Sequence, residues 1–166
     1  MKKIIRRGLL FLVLLGIMGS AKPNSDIFII ERILLCNSLR ENANNTITPG
    51  DSVEVITNKD EIIYYSANIG VINSTKEKYG FKIICVDSKN NIIFGDTAKV
   101  SLYKKKERIG KDSIRHVLLY LRLDPEPGAI VEGRLLPWEN DNDYYIKLYF
   151  ENKLMGVTKF HYMTKK

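Results

Sequence analysis

The run Glu139-Asn140-Asp141-Asn142-Asp143 sets three carboxylates at alternate positions of a short polar stretch, and hard oxygens so spaced suit calcium. Asp124 and Glu126, on a separate turn, could complete the shell. The stretch is no EF-hand: no glycine follows at the sharp-turn position, and Phe150 stands where the closing bidentate glutamate belongs. An Asn/Asp turn ahead of a strand would have the same composition. Calcium held by Glu139, Asp141 and Asp143 is thus one expectation, and no other cofactor is indicated.

Catalytic chemistry finds less support. The two histidines, His116 and His161, each lie inside an apolar run without a second His or Cys at metal-ligand spacing. GxSxG, HExxH, the P-loop and GxGxxG are all absent. An enzyme would need a site assembled in space from scattered residues, so no catalytic residue is assigned. The two cysteines, Cys36 and Cys85, have no partner at CxxC spacing, which disfavours a redox-active pair. In an oxidising compartment they allow a single bridge, Cys36–Cys85, closing a loop of about 50 residues for on the order of 4 kcal/mol. The alternative is two buried free thiols.

Two further features are candidates for binding. Trp138 follows Pro137 in the acidic loop and reads either as an anchor for a partner or as a lid folded over the sheet edge. Lys104-Lys105-Lys106-Glu107-Arg108, with Lys111, concentrates positive charge that could meet anionic lipid headgroups or an acidic partner. It could equally be a solvated loop whose lysines protect an edge.

The elements that must position these residues read as short strands. Asp26 to Cys36 is dense in isoleucine and leucine, and Glu61 to Val71 carries Ile62, Ile63, Tyr64, Tyr65, Ala67 and Ile69. Asn37 to Gly50 is loop chemistry, closed by Pro49-Gly50. Phe81 to Val86 and Ile92 to Phe94, joined by Asp87-Ser88-Lys89-Asn90-Asn91, form a hairpin signal. Ala98 to Tyr103 alternates and leads into a basic loop, Lys104 to Lys111. Asp112 to Leu123 fits a helix with Ile114, Val117, Leu118 and Leu121 on one face. It also fits a strand, which its neighbours and the stop at Asp124-Pro125-Glu126-Pro127-Gly128 favour. Tyr144 to Phe150 and Leu154 to Tyr162 alternate around Glu151-Asn152-Lys153 as a second hairpin. Strands at this spacing imply an antiparallel all-β sandwich or barrel.

Composition agrees with one globular domain: of 166 residues, 45% are hydrophobic and 27% charged, which excludes collagen-like, low-complexity and disulfide-framework classes. Residues 1–21 read as a secretory signal, with Lys2, Lys3, Arg6 and Arg7 ahead of an apolar core and Gly19-Ser20-Ala21 at the cleavage point. Residues 22–166 are then the mature domain, and the location is periplasmic or extracellular. Taking those four basic residues from the 26 leaves 22 against 19 acidic ones, a net charge of +3. That is too small to argue for a nucleic-acid partner.

The stretches Asn142-Asp143-Tyr144-Tyr145-Ile146-Lys147-Leu148-Tyr149 and Val157-Thr158-Lys159-Phe160 give the C-terminal half a resemblance to the ending of bacterial immunoglobulin-like sandwich domains. In these, a polar loop precedes an aromatic strand, a short turn and a final strand. The resemblance implies that sandwich architecture and no activity. The chain departs from antibody-type domains: Trp138 follows both cysteines, and Ile83 stands two before Cys85 where a corner tyrosine is expected. The functional expectation is a non-catalytic envelope module that recognises a protein partner through loops or a strand edge. A small hydrolase with a spatially assembled site and a β-barrel ligand carrier are the alternatives.

Overall fold

The computed structural model describes residues 26–42, 47–102, 106–126, 130–131, 134–135 and 138–166. The expected leader and the residues Lys104 and Lys105 lie outside these. The described residues contain thirteen strands and no helix. In chain order they are β1 (Ile27–Cys36), β2 (Leu39–Glu41), β3 (Ile47–Pro49), β4 (Val55–Thr57), β5 (Ile63–Ile72), β6 (Lys78–Asp87) and β7 (Ile92–Ser101). There follow β8 (Lys106–Ile109), β9 (Asp112–Leu123), β10 (Ile130–Val131), β11 (Arg134–Leu135), β12 (Asn142–Phe150) and β13 (Lys153–Met163).

Two larger sheets hold most of these strands. One has the order β1-β5-β9-β8 and is antiparallel throughout. The other has the order β4-β13-β12-β6-β7. Its strands pair antiparallel except β4, which runs parallel to β13 with His161 beside Val55 and Tyr162 beside Ile56. The wholly antiparallel arrangement expected from sequence is corrected at that strand. β2 with β3 and β10 with β11 form small two-stranded ladders.

Period-two alternation sends one face of each long strand into a common core. β5 contributes Tyr65, Ala67, Ile69 and Val71, and β9 contributes Val117, Leu119 and Leu123. The other sheet supplies Phe81, Ile83 and Cys85 from β6, Tyr144, Ile146 and Leu148 from β12, and Phe160 and Tyr162 from β13. Each large apolar side chain buried in this way contributes about 1.5–3 kcal/mol. Aromatic rings close the core towards both ends of β12. Phe28, Phe81 and Phe150 pack at one, and Trp138, Tyr144, Phe160 and Tyr162 at the other.

The two expected hairpins form, as β6–β7 and β12–β13. Glu151 and Asn152 both take positive φ, 46° and 64°, the left-handed pair that matches strand twist in a tight hairpin. Asp112 to Leu123 is strand, as favoured. Its helix-like pattern arises because its outer face carries Ile114 and Leu118, so both faces read as apolar. The basic segment expected as a loop includes a strand, β8, because its backbone pairs with the start of β9.

The expected Cys36–Cys85 bridge is corrected: both cysteines are free and buried. Strand parity explains it. Leu35 points into the core, so Cys36 faces the opposite side of β1, where its Sγ donates to the Tyr64 carbonyl at 3.6 Å. Cys85 lies within the core on the other sheet. Burial pushes the Cys36 thiol up, and burial followed by the nearby Asp87 carboxylate pushes the Cys85 thiol up further.

Candidate binding cleft

Three segments remote in sequence meet at the end of the core closed by Trp138. They are Asn37 to Leu39 after β1, Asn58 to Tyr64 around the turn into β5, and Arg122 to Glu126 at the end of β9. Together they line an open cleft of about 780 Å³. Its wall carries four carboxylates, Asp60, Glu61, Asp124 and Glu126, against one guanidinium, that of Arg122. Tyr64 and Arg122 are direct cross-strand neighbours on its floor.

The walls are held from within. Trp138 Nε1–H donates to the Asp124 carbonyl at 2.8 Å, and the buried Tyr162 hydroxyl donates to the Pro125 carbonyl at 2.9 Å. Trp138 itself is only 8% exposed, stacked on Tyr162 and edge-on to Tyr144. The ring packs as a lid on the core, and its N–H braces the cleft wall. Asp124 Oδ1 accepts the Glu126 N–H, and the Asp60 carboxylate accepts the Thr57 N–H, bracing both turns. Gly50 closes against the Asn37–Ser38 segment so tightly that any side chain there would collide with the Ser38 hydroxyl.

The acidic stretch expected to hold calcium lies outside the cleft, with Asp141 and Asp143 turned towards Lys159 and His161 of β13. Asp143 Oδ2 meets Lys159 Nζ at 2.6 Å, and its Oδ1 meets His161 Nδ1 at 3.0 Å. Asp141 Oδ1 meets His161 Nε2 at 3.1 Å. Glu139 instead accepts from the Asn142 amide at 3.3 Å. The hydrogen bond from Lys159, and then that from His161, holds the Asp143 carboxyl below the usual carboxylate range. Among the described residues no group of three or more His, Cys, Asp or Glu side chains is arranged to hold a metal ion. Asp124 and Glu126, weighed as outer calcium ligands, line the cleft. Lys106 stands exposed on the edge strand β8.

His116, the other histidine, lies on the outer face of the four-stranded sheet. Its Nδ1 is 3.1 Å from Glu31 Oε1 of β1, and its Nε2 is 3.6 Å from Glu107 Oε2 of β8. The two carboxylates sit on opposite sides of the ring, each facing its own ring nitrogen, a geometry that does not chelate one ion. The cleft is not apparent in the sequence because each of its segments looks like an ordinary polar turn. The signal was the acidic character shared by Asn58-Lys59-Asp60-Glu61 and Asp124-Pro125-Glu126.

No family model matches the chain, and no curated protein matches it. Among solved structures, a β-glucosidase from Listeria innocua in complex with isofagomine is similar at a TM-score of 0.45 and 8% identity, over 84% of this chain and 16% of that one. A bacterial adhesin from Mobiluncus mulieris, containing intramolecular disulfide, isopeptide and ester cross-links, is similar at a TM-score of 0.38 and 8% identity. That likeness covers 81% of this chain and 56% of the adhesin. The chain thus spans less than two thirds of either protein, and at these values neither one's activity transfers to it.

Proposed function

We propose that the protein is an exported, non-catalytic binding module of the cell envelope, an immunoglobulin-like β-sandwich behind a cleaved leader, which recognises a protein partner through its loops. The observation that supports this reading is the cleft. Three loop segments are braced around a concave, charged opening by buried aromatic hydrogen bonds, a scaffold presenting polar loops. The core behind it is filled with side chains, which suits presentation of a surface better than carriage of a ligand inside a barrel.

The test is site-specific photo-crosslinking in the native cells, with a photoreactive residue replacing Glu61 in the cleft and, as control, Lys153 on the β12–β13 turn. The expected result is one stoichiometric partner captured from the Glu61 position and none from Lys153. Capture of nothing, or equal capture from both positions, overturns the reading.

A further inference from the structure

Strand β9 has twelve residues, yet β8 pairs only with Asp112 to Arg115. Among the described residues, nothing pairs with His116 to Leu123 on the side away from β5. An uncovered edge presents N–H and C=O groups ready to receive another strand. The other edges are defended. β4 is three residues long, and β1 is interrupted by a bulge between Ile30 and Arg32. β7 sets the charged Asp96 in register between the core-facing Phe94 and Ala98, an edge-protecting device. The β9 edge instead carries Leu118 and Tyr120, the latter 53% exposed.

This edge runs directly into the cleft, since Arg122 belongs to both and Asp124, Pro125 and Glu126 follow it. The cleft reverses the local charge: the mature chain, with 22 basic against 19 acidic residues, here gathers four carboxylates around one arginine. Resting on the module reading above, we infer that edge and cleft form one docking surface. It takes an extended segment of the partner protein as an added strand along His116 to Leu123, with a lysine or arginine of that segment seated among Asp60, Glu61, Asp124 and Glu126. Main-chain hydrogen bonds supply affinity, and charge complementarity sets direction and register. The charged part of the interaction weakens with salt.

The test uses the full chain and three fluorescent ten-residue peptides of alternating valine and threonine. The first ends in two lysines, the second in two glutamates, and the third repeats the first with alternate backbone nitrogens methylated so that it cannot pair. Binding is read by anisotropy and location by amide hydrogen exchange. The lysine peptide is expected to bind at least ten-fold more tightly than either of the others and to slow exchange across 116–123. The double variant Glu61→Gln/Glu126→Gln is expected to weaken the lysine peptide about ten-fold and leave the glutamate peptide unchanged. Equal affinity for all three, no binding by any, or protection along β7 or β1 overturns the inference. If Glu61 crosslinks one partner in cells while the lysine peptide fails, the inference alone is lost; if the crosslink also fails, the module reading falls with it.

Discussion

Gly70 of β5 lies directly opposite His116 of β9, and its missing side chain lets the Glu31 carboxylate pass over β5 from β1 to the imidazole. A Cβ at position 70 would stand 3.2 Å from Glu31 Oε1 and 3.3 Å from Ile114 Cγ2. The Asn68 amide also donates to Glu31. With Glu107 at the far ring nitrogen, one polar row spans β1, β5, β9 and β8.

Gly70→Ala should be nearly neutral, because the nearest atom is the end of a flexible side chain. Gly70→Val should push Glu31 off the ring and cost about 1 kcal/mol, the scale of one lost hydrogen bond. Urea unfolding gives the stability, and the imidazole NMR resonances of His116 report the lost contact. Unchanged resonances in Gly70→Val would contradict the geometry.

Acid should unfold the protein through specific carboxylates. Burial alone would raise the Asp87 carboxyl, but hydrogen bonds from the Asn91 side chain and from the Asn91 and Lys89 N–H groups outweigh it and hold it low. Glu77 is held low chiefly by its paired hydrogen bonds from Arg115, at 2.7 and 2.8 Å. A depressed folded value means the stabilisation is fully present above the ordinary carboxylate range and is lost as pH falls through the folded values, below about pH 4. Asp87→Asn should therefore flatten the acid limb of stability against pH, as measured by urea unfolding at pH 7, 5 and 3. A limb of unchanged slope would remove Asp87 from the account.

Reducing agent should leave the melting temperature where it is. Both thiols are buried and free, so iodoacetamide should label neither in the native protein and both in denaturant. An intact mass two hydrogens lighter, with a melting temperature that falls on reduction, would restore the bridge.

Trp138→Ala should cost about 3–5 kcal/mol by emptying the lid of the core. Trp138→Phe should keep most of the packing and lose the hydrogen bond to Asp124, for about 1 kcal/mol. Exchange of the Asp124 and Glu126 amides should quicken in both variants. Unaltered exchange in Trp138→Phe would show that the indole N–H does not hold the cleft wall.

Much of the fold was legible because burial in a strand repeats every second residue. The β12–β13 hairpin carries that rhythm cleanly, with Tyr144, Ile146 and Leu148 inward. β9 was ambiguous because Ile114 and Leu118 make its outer face apolar too. The same parity rule that places Leu35 inward also turns Cys36 away from Cys85, whereas compartment chemistry alone suggested a bridge. The parallel pairing of Val55 with His161 leaves no local trace, since neither segment's own pattern names its partner. The cleft is hidden for the same reason, assembled from segments that meet only once β1, β5 and β9 pair side by side.

The proposed function requires the cleft to be covered by a partner in the living cell. Carbodiimide footprinting with mass spectrometry measures this directly, by comparing labelling of Asp60, Glu61, Asp124 and Glu126 in intact cells and in the purified protein. These four are expected to be protected in cells and freely labelled after purification, with Glu151 on the far turn modified equally in both. Equal labelling of the cleft carboxylates in the two settings would contradict it.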